Sequence, residues 1–180
     1  KSIEQVNLAW KRKHTALSET ETIMDMMMNG GSGMIFHGMS EQDVENIMKY
    51  PFNMIASDAS IRILNEGAPH PRGYGSNARV LGKYVREQQL IPLEEAVRRM
   101  TSLPAQKFHI ENRGLLRKGY AADIVVFDAA TVKDMSTFEK PHQYSQGFRF
   151  VIVNGRLSIE NGVQNNVRNG AVIYGPGFTR

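Results

Sequence analysis

"GMIFHGMSEQDVENIMKYPFNMIASD", residues 33–58, decides the fold. It opens on a short apolar run, passes through a stretch of helical period and closes on a second apolar run that stops at a carboxylate. Ser40 is placed to cap a helix, with Asp43 three residues on, and Val44, Ile47 and Met48 form one apolar stripe at helical spacing. Pro51 disfavours the helical conformation in the residue before it, so the helix should end at Lys49 or Tyr50. The flanking runs, 33–39 and 52–58, have strand length and little polar alternation, the pattern of strands buried on both faces. Strand, helix and strand at this spacing predict a βαβ unit with parallel strands.

The pattern extends in both directions. Residues 19–29 read as a helix with Ile23, Met26 and Met27 on one face, stopped by Asn29-Gly30-Gly31, and the Met-rich run reads as core filler. Downstream, 79–89 looks helical, with Leu81, Tyr84, Val85 and Gln88 on one side. Pro92 sits in the first turn of another helix carrying Leu93, Ala96, Val97 and Met100, and Ser102 and Pro104 start one more turn. Near Gly114 the character changes. "ADIVVFD" and "FRFVIVNGRLSIENGV" are rich in Val, Ile and Phe; Asn154-Gly155 is a strong type I′ hairpin signal, and Asn161-Gly162 offers a second turn. The expected organisation is an α/β part over residues 1–108 and a small antiparallel β module over 109–180.

Composition narrows the function classes. The 180 residues are 41% hydrophobic and 22% charged, ordinary for a globular protein, so disorder is not expected. The formal charge of +4 comes from basic residues scattered among acids, not gathered in a stripe, which argues against a nucleic-acid partner. No apolar run approaches the ~20 residues of a membrane span, and the first residues lack the apolar middle of a signal peptide. With no cysteine, disulfides and thiolate metal sites within these residues are excluded.

Two residues could carry chemistry. Asp58 follows an apolar strand candidate, and in parallel α/β folds ligands bind at the carboxyl ends of the strands. A carboxylate there can take a proton from an attacking water and return it to a leaving group; equally, it can cap the loop backbone. In "PHPR", Pro69 and Pro71 stiffen the loop before Arg72. The guanidinium either ties the loop to carbonyls or to an acid such as Glu66, the reading the residues alone favour, or binds a carboxylate at two points. His14, His37, His70, His109 and His142 stand singly, with no HxH or HExxH pairing, and make no metal site by spacing.

"MIASD", "PHPRGYGSNARVLGKYVRE", "LEEAVRRMTSLPAQKF", "RGLLRKGYAADIVVFD" and "TFEKPHQYSQGFRFVIVNG" together resemble the C-terminal part of the N-acyl-D-amino-acid deacylases (D-aminoacylases) of the amidohydrolase superfamily. The resemblance implies a (β/α)8 TIM barrel with a zinc site at its strand ends, plus a small β-sandwich built from both ends of the chain. Residues 33–39 would be the seventh barrel strand and 52–58 the eighth. Asp58 would be the general base and acid, able to touch the metal, and Arg72 would receive the α-carboxylate of an N-acyl-D-amino acid substrate. The family's HxH motif, bridging cysteine and two later histidines have no counterpart here. The chain, which opens mid-pattern without an initiator Met, is therefore expected to be a C-terminal portion that is inactive and holds no zinc alone, working with the remainder of its polypeptide. Open strand edges could also pair two copies. The loop between Asp58 and Arg72 looks longer than the family's usual form. Rival readings are a cyclic-amide hydrolase of the hydantoinase or dihydroorotase sort and a non-catalytic scaffold. The cytoplasm is favoured over the periplasm, though these residues do not fix the compartment.

Overall fold

A computed structural model of the chain describes residues 1–31 and 33–178, and its contacts divide the chain into two compact units, Lys1–Gly38 and Met39–Arg180. The first unit is a helical pair, α1 (Ile3–Ala9) and α2 (Ala16–Met28). Ser2 and Gln5 form a reciprocal cap at the start of α1, and the Thr15 side chain accepts the Ser18 N–H, so α2 begins earlier than its apolar spacing suggests. The helices meet through polar groups. Asn7 and Thr22 are fully buried, and Thr22 donates to Asn7 Oδ1 at 2.8 Å. Consequently the methionines do not fill a core as the sequence suggested: Met24, Met27 and Met28 are 58, 68 and 81% exposed. Among the described residues of its unit the helix that packs on α2 is α1, and that contact is taken by Asn7 and Thr22.

The second unit holds α3 (Glu41–Lys49), α4 (Arg72–Arg79), a π-helical segment (Val80–Glu87), α5 (Leu93–Met100), α6 (Ser102–Lys107) and a four-stranded antiparallel sheet whose strands lie side by side in chain order. Helix α3 lies where its signals put it: Ser40 Oγ accepts the Asp43 N–H at 3.1 Å, and the helix stops at Lys49 before Pro51. The helix expected over 79–89 is instead the second half of a longer one that starts at Arg72 and widens to five-residue turns; Gln88 N–H, for example, donates to Lys83 O at 2.8 Å. Its glycines permit close approach. A Cβ on Gly75 would lie 2.9 Å from Asp134 Cβ, and one on Gly82 2.8 Å from Val132 O. The core gathers Met48, Ala78, Val80, Leu81, Tyr84, Ile91, Ala96 and Val132, with Ile55, Phe127 and Phe148 packed against it.

The sheet comprises β1 (Ile124–Phe127), β2 (Phe148–Val153), β3 (Arg156–Glu160) and β4 (Val163–Gln164). Both of its tight turns have two residues at positive φ, Asn154 (49°) with Gly155 (77°) and Asn161 (49°) with Gly162 (81°), as type I′ geometry requires.

The two parallel strands expected over 33–39 and 52–58 do not form. A parallel strand needs a hydrogen-bonding neighbour, and neither segment enters a ladder; Phe36 and Phe52 remain 84 and 83% exposed. What holds 53–55 in place is Arg99, which is 2% exposed. Its Nη1 donates to Asn53 Oδ1 at 2.8 Å and to Met48 O, its Nε donates to Glu95 at 2.7 Å, and its carbonyl accepts the Ile55 N–H at 3.2 Å. Arg98 donates twice to the same Glu95 carboxylate. These bonds, Arg98 first and Arg99 second, pull the Glu95 carboxyl from its ordinary 4.5 down to about 2. A depressed acid stabilises the fold fully above its unfolded value and loses that contribution as pH falls from 4.5 through about 2. Glu95→Gln should therefore cost about 1.5 kcal/mol in urea unfolding at neutral pH, where charge-assisted bonds are lost, and the cost should shrink toward the acid end of that window. An equal cost at pH 7 and near pH 2 would show that the charge is irrelevant.

Candidate functional site

The site starts from a core anchor. Ile55 packs against the buried cluster, so the chain is fixed three residues before Asp58. Asp58 itself adopts φ 47°, a left-handed conformation that aspartate tolerates better than most residues, at a cost of order 1 kcal/mol. The Asp58 side chain is 87% exposed.

Residues 59–70 form a loop that returns to the same place. Pro71 stands just before α4, and Arg72 is the helix's first residue. Gly73 then allows close contact: a Cβ there would lie 3.3 Å from the Ala59 side chain, beside Asp58. As a result Arg72 Nη2 lies 2.8 Å from Asp58 Oδ2. The structure thus brings together the two residues singled out from the sequence, and the Arg72 ion pair is with Asp58 instead of Glu66. The Arg72 side chain is 45% exposed, and a pair this open to water is worth only about 0–1 kcal/mol. Neither partner is locked, and a guanidinium with five donors retains capacity for a second carboxylate.

His70 is structural. Its Nδ1 accepts the Arg72 N–H at 3.1 Å and its ring meets Phe138 edge-on at 5.0 Å. Burial, then the Arg72 charge, holds the imidazole below its ordinary value and keeps it neutral. His142 also reaches this loop, with Tyr74 and Ser145 behind it: the Tyr74 hydroxyl is 3.3 Å from His142 Nδ1 and the Ser145 hydroxyl donates to Tyr74 O, and sequence reading assigned none of the three a role at the site. Their partners lie far along the chain, which sequence spacing does not reveal.

Among the described residues no group of three or more His, Cys, Asp or Glu side chains stands close enough to hold a metal ion. Asp58 is a single oxygen donor group, and a catalytic zinc takes about three protein ligands, so these residues do not make a metal site by themselves. A cavity of about 500 Å³ lined by Leu81, Val97, Met100, Leu116, Val125 and Phe127 contains neither Asp58 nor Arg72 and is mostly apolar. Its lining suits packing, not proton transfer.

The fold and site define a class: a mixed α/β chain in which an acid ending a core-anchored segment faces an arginine at the start of the next helix, followed by an antiparallel β module. Comparison with known proteins narrows that class. Residues 17–159 match the Amidohydrolase family, and the chain belongs to it. It is 46% identical over 124 residues to an N-acyl-D-glutamate deacylase of Alcaligenes xylosoxydans xylosoxydans, a match covering 69% of this chain and 25% of that protein. A crystal structure of D-aminoacylase, described as defining a novel subset of amidohydrolases, superposes with a TM-score of 0.84 at 36% identity, over 95% of this chain and 34% of that one. An N-acyl-D-glutamate deacylase from Bordetella bronchiseptica, complexed with zinc and a phosphonate mimic of the tetrahedral intermediate, gives a TM-score of 0.75 at 38% identity, over 87% and 31%. The chain thus spans about a quarter to a third of the length of the relatives it matches.

Proposed function

We propose that these residues are the C-terminal portion of a zinc-dependent hydrolase that cleaves the amide bond of N-acyl-D-amino acids to a carboxylate and a D-amino acid. In this reading 33–39 and 52–58 become the last two strands of a (β/α)8 barrel once neighbours are supplied, and the antiparallel sheet is part of a small β-sandwich. The exposed Phe36 and Phe52 support the reading, since both segments carry apolar side chains left without cover by the described residues. The observation that carries it is the meeting of Asp58 and Arg72 at 2.8 Å, an acid and a cation brought together across a loop by a core anchor and a helix start.

The residues divide the work. Asp58 takes a proton from the attacking water and delivers it to the departing amine nitrogen, one carboxylate serving as base and then as acid. Arg72 holds the substrate's α-carboxylate, which fixes one end of the molecule so that only one configuration at Cα presents its amide to Asp58. The weak Asp58–Arg72 pair exchanges readily for the incoming carboxylate, and that exchange releases Asp58. Bound zinc would supply polarisation of the acyl carbonyl and a more acidic water, held by ligands outside these residues.

The test is a substrate panel on the full-length protein carrying these residues. N-acetyl-D-amino acids should be hydrolysed and their L-enantiomers left intact. Turnover of hydantoins or dihydroorotate in place of N-acyl-D-amino acids would overturn the assignment.

A further inference from the structure

We infer that His142 is a positioning residue for the carboxylate anchor, acting through the 59–70 loop and helix α4 to set where Arg72 stands. The inference rests on the proposed role of Arg72. One imidazole ties together groups on both sides of the site. Its Nδ1 accepts the Asn65 N–H at 3.1 Å, its Nε2 lies 3.0 Å from Gly67 O, and the Tyr74 hydroxyl is 3.3 Å from Nδ1. An amide N–H can only donate, so Nδ1 carries the lone pair and the proton sits on Nε2, which donates to the carbonyl. The pinned turn is a demanding one, with Asn65 at φ 67° and Gly67 at φ 66°.

Arg72 lies midway between two residues held by the same segment. On one side the His70 ring contacts Phe138 at 5.0 Å; on the other the Ser145 hydroxyl donates to Tyr74 O at 2.8 Å, and the Tyr74 ring meets those of His142 and Tyr144 edge-on. Thirteen residues separate Asp58 from Arg72, a span that, left free, samples many separations of its ends. The His142 contacts remove that freedom at the middle of the loop and at the first turn of α4. A pocket for a substrate carboxylate needs this, because misplacing a binding group by about 1 Å costs up to about 100-fold in rate.

The experiment compares kcat/KM for an N-acetyl-D-amino acid with that for the matching N-acetyl-D-amino acid amide, which lacks the carboxylate, in the full-length protein. In wild type the acid should be strongly preferred. His142→Leu should lower that preference by about tenfold, mainly by raising KM for the acid. His142→Asn, which keeps an acceptor near the Nδ1 position, should restore much of it. A purely structural role would depress both substrates alike and leave their ratio unchanged. Should His142→Leu fail to accumulate, Tyr74→Phe, which removes one hydroxyl, should shift the ratio in the same direction by less. A ratio unchanged in His142→Leu and in Tyr74→Phe, or no rescue by His142→Asn, overturns the inference while leaving the Arg72 reading intact. A wild type indifferent to the carboxylate overturns both.

Discussion

Replacing Asp58 by asparagine in the full-length protein is expected to lower kcat by roughly 10³-fold or more while leaving the fold unchanged, since losing a positioned general base and acid typically costs 10²–10⁴-fold. The fold should tolerate the change because the side chain is 87% exposed and the guanidinium it pairs with is itself open to water. Asparagine also tolerates φ 47° as well as aspartate does, so the left-handed backbone there survives. Circular dichroism and the melting temperature should match wild type. A variant that keeps a tenth of the activity would mean that another group moves the proton.

The second large effect is at Arg72. Arg72→Ala should reduce kcat/KM for N-acetyl-D-amino acids by ~2 kcal/mol or more, about 30-fold, with most of the loss in KM, because a two-point carboxylate contact is removed. Arg72→Lys should recover only part of this, since an ammonium is a point charge and cannot present two parallel donors. Little of the loss should come from stability: the exposed pair with Asp58 contributes about 0–1 kcal/mol, too little to account for a 30-fold effect through folding.

How much of this could be read from the sequence depended on how local each determinant was. The Ser40 cap, the stop before Pro51 and the Asn-Gly turns at 154–155 and 161–162 lie where their chemistry put them, because each acts over a few residues. Asp58 and Arg72 were singled out from position and from the stiff "PHPR" loop, but their meeting depends on Ile55 packing and on the space left by Gly73. The early start of α4 was hidden because Gly73 and Gly75 look like helix breakers; they are there for close approach to Ala59 and Asp134. The parallel strands were read correctly as apolar segments and wrongly as formed strands, since period alone does not supply a neighbouring ladder. The buried Asn7–Thr22 contact in the helical pair, which left the methionines outside, has no signature in hydrophobic spacing. His142 was read as one of five single histidines, and its contacts were hidden for a different reason: the groups it holds lie 68 to 77 residues away.

The central claim is that the Arg72 guanidinium reads a substrate carboxylate beside a proton-moving Asp58. It is tested most directly by the ratio of kcat/KM for an N-acetyl-D-amino acid to that for its carboxamide, measured in wild type and in Arg72→Ala. The account predicts a strong preference for the acid in wild type that collapses toward unity in the variant. The same preference in both proteins would place the carboxylate elsewhere and contradict it.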